Sequence, residues 1–132
     1  MHEWALAESV ILTVLRVAEE RNAARVLRVR IKLGELQQVE EEIFSTALRE
    51  LSKDTPAEDA EFSLAREPAV LKCNRCSHEW KVERDKLKPE EAELIHFLPE
   101  AAHAYLRCPR CGSPDFAIES GRGVWIESVE LG

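Results

Sequence analysis

The sequence predicts an α+β fold: two helices on a small two- or three-stranded sheet, with a four-cysteine, zinc-ribbon-like module inserted before the last strand. Three observations predict it. Apolar residues recur at helical spacing in two stretches of the first half of the chain. They alternate at strand spacing between and after those stretches. Beyond Pro68 both patterns give way to two Cys-x-x-Cys pairs, and Gly121 and Gly123 then precede one more apolar run.

From Glu3 to about Arg21, the residues Trp4, Ala7, Val10, Ile11, Val14, Val17 and Ala18 recur in steps of three and four. Glu8, Thr13, Arg16, Glu19 and Glu20 lie between them, which makes an amphipathic helix. Leu27, Val29, Ile31 and Leu33 then alternate with Arg28, Arg30 and Lys32, the pattern of a half-buried strand that Gly34 stops. A second helix is expected from about Val39 to Lys53, turning Ile43, Phe44, Ala47, Leu48 and Leu51 inward. Its start carries Glu40, Glu41 and Glu42, whose charges suit the positive end of a helix dipole. Ala60, Phe62 and Leu64 mark a second strand, and Val124 to Leu131 a final one that returns to the same sheet. The domain boundaries follow: residues 1–67 plus 121–132 form the α+β domain, and residues 68–120 the metal-binding module.

With 132 residues and 45% hydrophobic content, the chain can bury a core. Its formal net charge of −7 repels phosphate backbones and anionic lipid, so neither nucleic acid nor membrane is an expected partner. No stretch reaches the roughly 20 apolar residues that cross a bilayer. The early Glu3, Glu8, Glu19 and Glu20, with no basic lead into an apolar run, argue against a secretory signal. The expected location is the cytoplasm, as a monomer or homodimer. Its reducing conditions favour a metal site over two disulfides.

Cys73-Asn74-Arg75-Cys76 and Cys108-Pro109-Arg110-Cys111-Gly112 each set two thiolates on a tight loop. Two such loops supply the four ligands of a tetrahedral Zn²⁺, although iron accepts the same donors. Gly112 can take the backbone angles that a sulfur-wrapping turn demands. Four sulfurs leave no open coordination position, so the zinc is structural and the site is not that of an enzyme. No nucleophile–base arrangement or phosphate-binding loop offers another catalytic centre. Of the nearby side chains, Trp80 is expected to cover the knuckles, and His78 to stand beside the metal ligands or in solvent. His96, within Leu94-Ile95-His96-Phe97-Leu98, and His103 fit packed histidines as well as ligands.

The opening Met1-His2-Glu3-Trp4 carries a second metal-binding pattern. A histidine at position 2 lets the α-amine, its own amide nitrogen and its imidazole close chelate rings in one plane. Such planar nitrogen donors favour Ni²⁺ or Cu²⁺. An ordinary exposed histidine has the same sequence.

Met1-His2-Glu3-Trp4 opening a helix, Gly34-Glu35-Leu36 ending a strand, two late Cys-x-x-Cys pairs and a terminal strand after Gly121-x-Gly123 together resemble one family, the HypA/HybF hydrogenase-maturation nickel chaperones. The resemblance spans essentially the whole chain. It implies nickel bound through His2 with Glu3 contributing, and zinc at Cys73, Cys76, Cys108 and Cys111. It implies a metallochaperone that carries Ni²⁺ to the [NiFe]-hydrogenase large subunit together with the nickel-handling GTPase HypB. The long gap between the cysteine pairs, residues 77–107, resembles the branch with an insertion, where the histidine matching His96 can approach the amino terminus. The rival function is a zinc-ribbon interaction module of the transcription or translation machinery. Arg75, Lys81, Arg84, Lys86, Lys88, Arg107 and Arg110 lend it a basic surface, while the acidic remainder and the absence of interleaved aromatics oppose it.

Overall fold

The computed structural model describes residues 2–37, 39–82 and 87–132. Met1, and Arg84 and Lys86 of the basic set above, lie outside them. In chain order the elements are α1 (Glu3–Glu20), β1 (Val26–Gly34), α2 (Glu41–Ser52), β2 (Glu61–Glu67), β3 (Val70–Cys73), β4 (Glu79–Lys81), α3 (Pro89–Phe97), α4 (Ala102–Tyr105), β5 (Phe116–Ser120) and β6 (Val124–Leu131). A short 3-10 turn, Glu35–Gln37, follows β1, and another, Pro99–Ala101, leads into α4. The strands make two sheets, ordered β2-β1-β6 and β4-β3-β5. The chain divides into two compact units.

The first unit comprises residues 1–32, 39–65 and 124–132. In its sheet the final strand, β6, lies directly beside β1. Helix α1 buries Ala7, Val10, Ile11, Val14 and Ala18, and packs against α2, which buries Phe44, Ala47 and Leu48. Trp4, Leu27 and Ile43 depart from the expected buried positions: they are 50%, 43% and 40% exposed. At Trp4 the reason is that Glu3, four residues before Ala7, holds the inward position itself. Ile43 sits one step before Phe44, about 100° away around the helix, and so misses the face that Phe44, Ala47 and Leu48 share. Burying each large apolar side chain of this unit contributes roughly 1.5–3 kcal/mol.

The second unit comprises residues 33–38 and 66–123. Strand β3 is central and antiparallel to both neighbours, with Leu71 opposite Trp80 on one side and Ile118 on the other. Leu71, Phe116 and Ala69 join Ile95 of α3, Ala102 of α4 and Leu36 in one apolar core. The described residues of the long segment between the cysteine pairs are therefore a structural part of this unit. Helix α3 starts cleanly because Pro89 suits its first turn and Glu91 accepts the backbone N–H of Lys88 at 2.9 Å. Gly34 lies against Gly121 and Gly123: its N–H reaches the Gly123 carbonyl at 2.7 Å, and Leu36 N–H that of Gly121 at 3.0 Å. A β-carbon on Gly34 would overlap the Gly121 carbonyl.

Candidate metal centre

Strand β3 delivers Cys73 to the end of its sheet, opposite Phe116 of β5, and the chain turns back at once. Both cysteine pairs make the same turn. Cys73 N–H donates to the His78 carbonyl, and Cys108 N–H to the Ser113 carbonyl, each at 2.9 Å. Ser77 N–H returns to the Cys73 carbonyl at 3.0 Å, as Gly112 N–H does to that of Cys108 at 2.8 Å. Closing each turn needs a left-handed residue: Gly112 at φ 77° in the second and Ser77 at φ 65° in the first. Ser77 is a position that sequence reasoning missed, because serine carries no left-handed signature.

The two knuckles face one another. Cys73 Sγ stands 3.5 Å from Cys111 Sγ, and Cys76 Sγ 3.6 Å from Cys108 Sγ, with all four sulfurs within 4.8 Å of each other. A tetrahedral zinc with bonds of about 2.3 Å requires sulfur–sulfur edges of about 3.8 Å, so the donor set fits the ion. Backbone N–H groups already point at the sulfurs: Arg75 N–H donates to Cys73 Sγ at 3.3 Å and Cys76 N–H at 3.4 Å. A further tie joins the first knuckle to the segment after the second. Asn74 donates through its side chain to Asp115 Oδ1 at 3.0 Å and through its backbone to the Asp115 carbonyl at 2.9 Å.

These surroundings separate the thiols. Burial pushes Cys73 upward, but donors from Cys76, Arg75 and the neighbouring thiols outweigh it and bring Cys73 down to about 7. At Cys108, burial is likewise outweighed by the backbone N–H groups of Cys111 and Arg110, and the thiol falls below its ordinary value. At Cys76 a backbone donor from His78 lowers the value, yet burial and three adjacent thiols prevail and raise it to about 11. A cation bound by these sulfurs would favour their thiolate forms.

Aromatic rings flank the centre. Trp80 stacks with His78 at 6.1 Å and meets Phe116 edge-on at 5.6 Å. His103 lies flat on Phe116 at 4.2 Å, with Nδ1 3.1 Å from the Pro114 carbonyl oxygen. Trp80 thus packs on His78 and Phe116 at this end of the module, and His103 packs on Phe116.

The other predicted site residues lie elsewhere. His2 caps the start of α1, where its carbonyl accepts the Leu6 N–H at 2.9 Å, and it is exposed. Glu3 is only 2% exposed, and its Oε2 accepts the backbone N–H of Glu40 at 3.1 Å. Burial raises its pKa, but the amino-terminal charge and the N–H groups of Glu40 and of Glu3 itself bring it down to about 2. His2 and Glu3 belong to the first unit. His96 belongs to the second, on α3, 8% exposed and edge-on to Phe97 at 5.1 Å. The four cysteines are the one cluster of three or more metal-ligating groups among the described residues.

Residues 1–131 match the family model described as HypA, hydrogenase/urease nickel incorporation, metallochaperone. The chain belongs to the HypA family. Hydrogenase maturation factor HypA of Pyrococcus horikoshii is 49% identical over 99% of this chain and 96% of its own length. That of Thermococcus kodakarensis is 47% identical, and that of Methanopyrus kandleri 39%, each over 99% of this chain. Among solved structures, the Ni metallochaperone HypA from Helicobacter pylori superposes with a TM-score of 0.67, covering 99% of this chain and 97% of that one. At 23% identity that likeness speaks for the fold. No helix among the described residues is long and apolar enough to cross a membrane.

Proposed function

We propose that this chain is a nickel metallochaperone for [NiFe]-hydrogenase maturation whose scaffold is held by one structural zinc. Membership of the HypA family over residues 1–131 is the observation that carries this reading. The preorganised sulfur tetrahedron supports the zinc assignment. Cys73, Cys76, Cys108 and Cys111 would hold the ion, and a closed sulfur shell supplies structure rather than catalysis.

The cargo site belongs to the amino terminus. His2 brings its imidazole and amide nitrogen to the exposed start of α1, and a free α-amine would complete three planar nitrogen donors. Glu3 contributes beneath them, and His96 is the proposed additional ligand. An affinity near micromolar, about −8 kcal/mol, suits a carrier that must both load and release. The partners proposed are the GTPase HypB, met on the helical face of the first unit, and the hydrogenase large subunit, with transfer in the cytoplasm.

Calorimetric titration of the zinc-loaded protein with Ni²⁺ tests the reading, provided the amino terminus is unmodified. His2→Ala should abolish specific nickel binding while zinc content and helicity stay unchanged. One residue inserted between Met1 and His2 should impair binding too. His96→Ala should weaken binding or shift the nickel spectrum without unfolding. Wild-type affinity in His2→Ala would sink the carrier mechanism, whereas wild-type affinity in His96→Ala alone would remove only that ligand.

A further inference from the structure

Each knuckle carries an arginine one residue before its second cysteine, Arg75 and Arg110, and a third, Arg107, directly precedes Cys108. All three are exposed. Because Cys73 Sγ and Cys111 Sγ stand 3.5 Å apart, the two loops that carry these residues meet at one tip. Arg75 uses its backbone N–H on Cys73 Sγ, but none of the three guanidinium groups has a hydrogen-bond or ion-pair partner among the described residues. The acid in the same loops, Asp115, accepts the Asn74 side-chain amide and keeps its charge, but forms no ion pair with the arginines among the described residues. Arg28 and Arg122, by contrast, are paired internally, Arg28 with Glu61 and Glu130 and Arg122 with Glu100.

We propose that this tip is a docking surface for an acidic segment of a partner protein, gripped by Arg75, Arg107 and Arg110. Charge complementarity names the occupant. The chain as a whole carries −7, so an acidic partner is repelled from most of the surface and drawn only to a local concentration of cations. Guanidinium forks match carboxylates two bonds at a time, which gives orientation as well as attraction. A zinc tetrathiolate beneath the tip would carry about −2 and Asp115 carries a further −1, so the attraction rests on the outward guanidinium forks and not on a net positive charge of the tip. A nucleic acid fits less well: Phe116, the ring at the core of this end of the module, is 2% exposed and offers no platform for stacking bases. The inference does not depend on nickel binding at His2.

The test uses the full zinc-loaded chain and a short fluorescein-labelled peptide of Glu and Asp, with binding read as anisotropy at low and physiological salt. Arg75→Glu/Arg110→Glu should weaken binding roughly tenfold or more. Arg16→Glu/Arg30→Glu, with the same change in net charge, should leave most of it. Arg75→Lys/Arg110→Lys, which keeps the charge and removes the forks, should weaken it several-fold with zinc content unchanged. Equal losses in the two charge-reversed variants would overturn the proposal, as would an unaffected tip variant. So would a single-stranded oligonucleotide of equal charge that displaces the peptide from the tip.

Discussion

Glu3 Oε2 accepts the backbone N–H of Glu40 across 3.1 Å, a single bond that ties together the starts of two helices. Glu40 is the N-cap residue of α2 and has no side-chain cap of its own. The buried carboxylate of Glu3 therefore satisfies a backbone donor at that helix start while fixing the first turn of α1 beside His2. Glu3→Ala should cost about 1–3 kcal/mol in chemical unfolding, because the Glu40 N–H loses its acceptor. The pH dependence carries its own sign. Folding lowers the Glu3 pKa to about 2 from 4.5, so its charge stabilises the folded state above the unfolded value. That stability should fade as pH falls from about 4.5 toward 2, and Glu3→Gln should flatten this part of the nickel-free protein's acid profile.

Stripping the metal with a chelator should loosen the second unit selectively. Structural zinc contributes roughly 10–16 kcal/mol to folding in zinc-finger peptides, a large share of what holds a small unit together. Hydrogen exchange should rise across residues 72–78 and 107–116, while the helical circular dichroism of α1 and α2 persists. Cys108→Ser should reproduce the effect with zinc present. An unchanged exchange pattern after complete metal removal would refute the structural role.

Two glycines separate close approach from backbone strain. Gly34→Ala places a β-carbon into the Gly121 carbonyl and within 2.7 Å of the Gly123 oxygen, and backbone on both sides cannot yield cheaply. The loss should exceed about 3 kcal/mol. Gly112→Ala meets nothing within 4 Å but must hold φ at 77°, so its cost should be near 1 kcal/mol. Thermal melts of the zinc-loaded variants distinguish the two magnitudes.

Surface charge pairs should matter little. Arg28 meets Glu61 at 3.3 Å and Glu130 at 3.7 Å, but all three side chains are more than a third exposed. Arg28→Ala should change unfolding by under about 1 kcal/mol, and the difference should shrink further in high salt.

Much of this architecture is written in local patterns. The helix of Ala7, Val10, Val14 and Ala18 and the alternation through Val29, Ile31 and Leu33 bury the residues their spacing nominates, and the final strand runs from Val124 as expected. The cysteine spacing likewise predicts a four-sulfur site, since two tight loops have few other ways to pair. What spacing does not reveal is contact over distance. Nothing near Glu3 says that a carboxylate will face the core, because its acceptor role is completed by a backbone group at Glu40. Nothing near Leu36 ties it to Ile95 and Phe116, and Ser77 takes a left-handed conformation that only the matching turn at Gly112 explains. Trp4 and Ile43 mislead for the converse reason: apolar identity alone does not fix which side of a helix is covered.

The position of Leu36 has a consequence for anyone who would cut or transplant this module. The chain ends bordering residues 68–120 are stapled together, Ser120 Oγ donating to the Pro68 carbonyl at 2.8 Å and Gly121 N–H to Glu67 Oε1 at 2.9 Å. That invites treatment of the segment as a cassette to be excised with one short splice. Yet Leu36, 4% exposed within the same apolar cluster, arrives from the far side of the sequence. A graft of residues 68–120 would travel without its keystone and open a hole over Ile95. The transplantable unit is discontinuous, and a faithful chimera must carry residues 33–38 as a second fragment.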